Sequence, residues 1–134
     1  NNKIEGNESF KKILFFTILL TIILFLFINI FINPIVAYFA KEYSENVTSI
    51  LRILLIVFIL NVFNDQFIMN YFIPNNLYNF INKLKIFKFI LIILFAIPLI
   101  KIYSLNGAAL ALMISELMGI IIIINKYNST KRLP

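Results

Sequence analysis

Four long apolar segments, separated by short polar ones, dominate the pattern of this chain. The first, residues 13–40, has no charged side chain and exceeds the roughly 20 residues that a helix needs to cross the ~30 Å hydrocarbon core of a bilayer. Pro34 lies in its last third and Pro98 near the end of the third segment, where a proline can bend or end a helix. We predict four membrane-spanning helices, at about 13–38, 49–73, 79–101 and 105–126.

The fourth segment carries a stripe of small residues and one acid. Gly107, Ala111, Ser115 and Gly119 recur every four residues, so they share one face of a helix. In lipid, close backbone approach over small side chains is one of the few ways to hold two helices together. Glu116 lies beside this stripe, and because a charge in the bilayer costs roughly 2.5–3.5 kcal/mol, it should face protein or a water-filled cavity. We predict that these five residues serve helix packing or ion coupling.

The second segment contains polar residues with two possible roles. Asn61, Asn64 and Asp65 share one helix face by their spacing of three and four. These groups can either hydrogen-bond to neighbouring helices or, with Asp65 as the ionisable member, line a hydrophilic passage. Arg52, about one turn inside the predicted helix, can extend to the membrane interface or pair with Glu42 or Glu45.

Three lysines lie in the first half of the third segment. Its uncharged part, residues 89–100, is too short to cross the membrane alone, so the helix must include Lys83, Lys85 and Lys88. At 100° per residue the three do not share one face. They either extend to anionic headgroups on one side of the membrane, or the deepest of them, Lys88, points into an aqueous cavity.

Composition excludes several classes of function. Hydrophobic residues make up 61% of the chain and charged residues only 13%, whereas soluble proteins carry about 25% charged residues. The absence of cysteine and histidine removes disulfides, thiolate metal sites and the commonest base at neutral pH. The net charge of +6 does not indicate a nucleic-acid partner, because the basic residues flank the apolar segments. We therefore predict a membrane protein that is not an enzyme, with no catalytic residue, metal or cofactor.

The basic residues also predict an orientation. Nine of the twelve lie towards the side that holds both chain ends and the turn between the second and third helices. These are Lys3, Lys11, Lys12, Lys83, Lys85, Lys88, Lys126, Lys131 and Arg132, against Lys41, Arg52 and Lys101 on the other side. Because basic residues are enriched on the cytoplasmic side of membranes, we expect both termini in the cytoplasm and the protein in the cytoplasmic (inner) membrane.

Three passages resemble a known family of membrane carriers. Residues 31–46 read F-I-N-P-I-V-A-Y-F-A-K-E-Y-S-E-N and are followed by L-R-I-L at 51–54. Residues 64–80 read N-D-Q-F-I-M-N-Y-F-I-P-N-N-L-Y-N-F, and residues 97–116 combine a proline, a short loop, Gly-Ala-Ala and a later Ser-Glu. In these passages the chain resembles the C-terminal part of polysaccharide (O-antigen) flippases of the Wzx/RfbX type, in the multidrug/oligosaccharidyl-lipid/polysaccharide exporter superfamily.

The resemblance implies a fold and a function. The fold would be an all-α integral membrane bundle whose four transmembrane helices are the last four of about twelve. Residues 1–134 would then be a partial transmembrane domain that packs against the remaining N-terminal helices of the same transporter. The function would be the translocation of undecaprenyl-pyrophosphate-linked oligosaccharide repeat units, used for lipopolysaccharide and other surface polysaccharides, across the cytoplasmic membrane. Two alternatives are a drug or lipid exporter of the same superfamily and a self-contained four-span accessory subunit.

The resemblance also implies site residues. A polar, cationic passage would bind the sugar and the pyrophosphate, which makes Lys88, Lys85 and Arg52 candidates for substrate binding. Asp65 is a further candidate in the same passage, and Glu116 is a candidate for ion coupling. The chain begins with Asn1 within a polar segment, and we expect it to be a piece of a longer protein.

Overall fold

Four long helices account for most of the structure. The computed structural model describes residues 2–40 and 44–131, with side chains at 9–39 and 45–130. The helices are α1 (Asn2–Ala40), α2 (Ser44–Phe67), α3 (Tyr78–Tyr103) and α4 (Leu105–Lys131). Each is long and apolar enough to cross a membrane, and the described residues contain no strand. The prediction of an all-α membrane bundle of four helices is therefore confirmed.

The helices extend beyond the predicted spans: α1 begins at Asn2 and not at 13, and α4 ends at Lys131 and not at 126. The second helix begins at Ser44, before the expected start at residue 49, and continues as a π-helical turn over Ile68–Phe72. The helices also continue past Pro34 and Pro98, so neither proline ends its helix. A broken helix in lipid would leave backbone groups without water to bind, which favours helical continuity through a proline.

The connections between the last three helices are short. A turn at 73–76, with Asn76 in the left-handed region (φ 57°), links α2 to α3. A single residue, Ser104, separates α3 from α4 and has φ 52°, which is unusual for a residue other than glycine. Its backbone N–H donates to the carbonyl of Ile100 at 2.9 Å, and its own carbonyl accepts from Gly107 at 3.0 Å. These bonds fold α4 directly back onto α3.

The helix α4 lies between α2 and α3, and α1 packs against α2. The helices α2 and α4 run parallel, because Asn64 contacts Glu116 while Phe67, further along α2, contacts Tyr127, further along α4. Phe10, near the start of α1, contacts Tyr127 near the end of α4. The first residues of α1 and the last residues of α4 therefore lie at the same end of the bundle.

Aromatic side chains fill that end of the bundle. We call the set Phe10, Phe67, Tyr71, Phe72 and Tyr127 the aromatic cluster. The rings of Phe10 and Phe67 meet edge to face with centroids 5.2 Å apart, and those of Tyr71 and Tyr127 with centroids 4.6 Å apart. Such geometry lets the positive edge of one ring face the negative face of the next. The cluster joins α1, the end of α2 and the end of α4.

Candidate functional site

The small residues of α4 bring it close to α3. Ala111 and Ser115 are completely buried, and Gly107 and Gly119 are buried as well. A methyl group on Gly107 would lie 2.0 Å from the backbone carbonyl oxygen of Leu99. The α3 backbone therefore occupies the space that any larger side chain at position 107 would need.

At Gly119 the missing side chain makes room for polar groups instead. A methyl group there would lie 3.1 Å from Cδ of Lys88 and 3.4 Å from Nδ2 of Asn64. Lys88 comes from α3 and Asn64 from α2. Gly119 thus lets two polar side chains from different helices reach the surface of α4.

Both of these side chains bind the carboxylate of Glu116. The Lys88 ammonium lies 2.6 Å from Oε2 of Glu116, and the side-chain amide of Asn64 donates a hydrogen bond to the same oxygen. The Asn64 amide also lies 3.4 Å from the backbone carbonyl oxygen of Glu116. We call Asn64, Lys88 and Glu116 the polar triad; it joins three helices through one carboxylate oxygen.

The polar triad lies deep within the spans. At 1.5 Å per residue, Lys88 is about 15 Å from the start of α3 and Glu116 about 16 Å from the start of α4. Both positions fall well inside a hydrocarbon core of roughly 30 Å. The ion pair cancels the two charges, which neither side chain could carry alone at that depth without a large cost.

The two charged members differ in their access to the surroundings. The side chain of Lys88 is 17% exposed and that of Glu116 is 8% exposed. Within the described residues, Oδ1 of Asn64 and Oγ of Ser115 are buried without a hydrogen-bond partner. The arrangement therefore holds a partly exposed cation next to buried polar atoms that have no hydrogen-bond partner among the described residues.

The structure brings together only some of the residues that the sequence singled out. Lys88 and Glu116 form the ion pair, whereas Lys85 and Asp65 are exposed on the outside of the four helices. Arg52 donates a hydrogen bond to Oδ1 of Asn33 on α1 at 3.2 Å.

Arg52 and its partner line a groove of about 570 Å³ between α1 and α2, at the end of the bundle opposite the aromatic cluster. Glu45 also lines this groove, but it forms no ion pair with Arg52 in the part of the chain that the structure describes. The other suggested partner, Glu42, lies outside the described residues.

The sequence pattern groups Asn64 with Asp65 on one helix face, but it identifies only Asp65 as a candidate site residue. Asn64 is 1% exposed while its neighbour Asp65 faces outward, so the charged residue of the two is not the one that lies in the interior. The partners of Glu116 lie 28 and 52 positions away in the sequence. Helical spacing within one segment predicts which residues share a face, but it does not predict which faces of different helices meet.

Neither a metal site nor a known relative identifies the function of the part of the chain that the structure describes. The described residues contain no group of three acidic side chains that could hold a metal ion. Comparison of the chain with protein-family models, with curated proteins and with solved structures finds no match. What the structure itself establishes is a multi-pass membrane protein with an ion pair in the interior of its helical bundle.

Proposed function

We propose that this chain is part of a carrier that moves undecaprenyl-pyrophosphate-linked oligosaccharide repeat units across the cytoplasmic membrane. The observation that carries the proposal is the Lys88–Glu116 pair, in which a partly accessible cation lies at membrane depth. The resemblance of residues 31–46, 51–54, 64–80 and 97–116 to polysaccharide flippases supplies the class of substrate. The chain would act by binding and releasing this substrate, and none of its residues would be catalytic.

The ion pair suits a substrate with a pyrophosphate group. A pyrophosphate carries two or more negative charges, which must be paired in a low-dielectric interior. An ammonium group provides a countercharge and hydrogen-bond donors for phosphate oxygens. We infer that Glu116 neutralises Lys88 when the passage is empty, and that the substrate takes the place of Glu116 as the partner of Lys88.

The other candidate residues lie on the outer surface of these four helices, and they would line the passage only together with further helices. Lys85, Asp65 and Arg52 lie on exposed surfaces of the described helices. In the proposed carrier, the remaining N-terminal helices would pack against these surfaces and complete the passage. The end with the aromatic cluster would face the cytoplasm, since most of the basic residues lie towards it.

The experiment measures surface polysaccharide in cells whose only copy of the gene carries a double substitution. Replacing Lys88→Met together with Glu116→Leu removes both charges and keeps the volume, so the fold is expected to persist. We expect normal protein abundance in the membrane but a loss of surface polysaccharide of about tenfold or more, because the phosphate has no countercharge.

Two controls separate binding from folding. Lys88→Arg keeps the charge and should retain much of the surface polysaccharide. Lys101→Met removes an exposed lysine near the end of α3 and should leave the amount of surface polysaccharide unchanged. Wild-type levels of surface polysaccharide in the double variant would remove Lys88 from the passage. If deleting the gene leaves the surface polysaccharide unchanged, the flippase function itself is wrong.

A further inference from the structure

A second cationic feature lies at the end of the bundle, away from the polar triad. A groove of about 350 Å³ opens between the start of α3 and the end of α4. Its lining includes Phe80 and Lys83 from α3 and Lys126 from α4. We call it the interfacial groove. The ammonium of Lys126 lies 5.9 Å from the centre of the Phe80 ring, which favours an orientation of this lysine towards the groove.

Among the residues whose side chains are described, no acid balances the charge of the interfacial groove. Neither Lys83 nor Lys126 has a carboxylate within 4.0 Å in this part of the chain. The ion pair found there is that of Lys88 with Glu116. None of the residues that line the groove is acidic. Two positive charges from different helices therefore converge on one opening, and its complement is an anion.

The depth of the groove matches the membrane interface. Lys83 is about 7 Å from the start of α3 at 1.5 Å per residue, and Lys126 follows the apolar run Ile120 to Ile124 in α4. The headgroup layer of a bilayer lies at this boundary between apolar and polar segments.

An apolar stripe extends from the groove into the membrane. Phe87, Ile90 and Leu94 follow Lys83 at four, seven and eleven positions, so they lie on the same face of α3. All three are exposed on the four-helix bundle. A soluble phosphate would not use such a stripe, whereas an acyl chain would lie along it with its phosphate between the two lysines.

We propose that the interfacial groove is a binding site for an anionic phospholipid, with the headgroup phosphate between Lys83 and Lys126 and an acyl chain along Phe87, Ile90 and Leu94. This site is independent of the transport function proposed above. It would hold one lipid between the start of α3 and the end of α4, in the leaflet next to both ends of the described chain.

The test counts retained lipids on the complete protein by native mass spectrometry. The protein is purified in detergent and titrated with phosphatidylglycerol. The variant with Lys83→Gln and Lys126→Gln should bind it about tenfold more weakly than the wild type, because each lysine near the surface contributes to anionic lipid binding. The matched control, Lys12→Gln with Lys101→Gln, also removes two exposed lysines but none from the groove, and it should bind within about twofold of the wild type.

Further arms identify the ligand and guard against misfolding. Lys83→Arg with Lys126→Arg keeps both charges and should retain binding. Phosphatidylcholine should not compete, and inorganic phosphate at millimolar concentration should not displace the lipid. Equal losses in the two glutamine variants, or no loss in either, would overturn the proposal. Displacement by inorganic phosphate that depends on Lys83 and Lys126 would identify a site for a soluble anion and would also overturn it.

Discussion

The helices α1 and α4 are both apolar enough to cross a membrane, yet α4 is far more buried against its neighbours than α1, which is mostly exposed. In α4, one face is buried completely at Ala111, Ser115 and Ile123. In α1, large side chains such as Phe15 and Phe16 are about two-thirds exposed. In lipid, apolar character does not draw helices together, because the tails of the lipids are as apolar as leucine. Small side chains and buried polar groups determine which helices pack.

The polar residues of the two helices show the same difference. In α1, Thr21 and Asn29 donate hydrogen bonds to carbonyl groups four residues earlier in the same helix, at 2.7 and 3.1 Å. In α4, Glu116 is bound by side chains from α2 and α3. Thr21 and Asn29 therefore need no partner helix, and α1 bonds to α2 through Asn33, which accepts from Arg52 near the other end of the bundle.

The largest expected effect comes from removing the acid of the polar triad. Glu116→Leu leaves Lys88 charged and unpaired, and we expect the free energy of unfolding to fall by about 3–5 kcal/mol. The measurement is reversible unfolding of the complete protein in mixed micelles, followed by circular dichroism.

The matched variant adds Lys88→Met to Glu116→Leu. Because no charge is then left unpaired, most of the lost stability should return. If the double variant is no more stable than Glu116→Leu alone, the carboxylate does not act by neutralising Lys88.

A smaller effect is expected from the stripe of small residues. Gly107→Ala would place a methyl group against the α3 backbone, and the helices must separate to admit it, at a cost of about 1–3 kcal/mol. Gly119→Ala meets the flexible part of the Lys88 side chain, which can move, so its cost should be under about 1 kcal/mol. The same unfolding measurement compares the two. Equal costs would contradict the close backbone approach at Gly107.

The smallest effect is expected on α1. Ile23→Ala shortens an exposed side chain and should change the free energy of unfolding by less than about 0.5 kcal/mol. The control Ile123→Ala makes the same change at a completely buried position of α4 and should cost about 2 kcal/mol. A cost at Ile23 as large as that at Ile123 would mean that another part of the protein covers this face of α1.

The sequence predicted the number and type of the helices because uninterrupted apolar segments have no other stable form in a bilayer. It also identified Lys88 and Glu116 as residues of interest, since charges at membrane depth are rare. It did not predict that they bind each other. Nor did it distinguish Asn64, which is buried, from Asp65, which is exposed, because adjacent residues on a helix differ by only 100° and inter-helix packing decides which faces inward.

The single-residue connection at Ser104 has a consequence for how the protein is made. A linker of one residue keeps the end of α3 and the start of α4 on the same side of the bilayer, so we expect the two helices to insert together as one hairpin. Their close contact at Gly107 lies near this connection and can form within the hairpin itself. The polar triad also requires Asn64 from α2, so it is complete only when α2 packs against this hairpin.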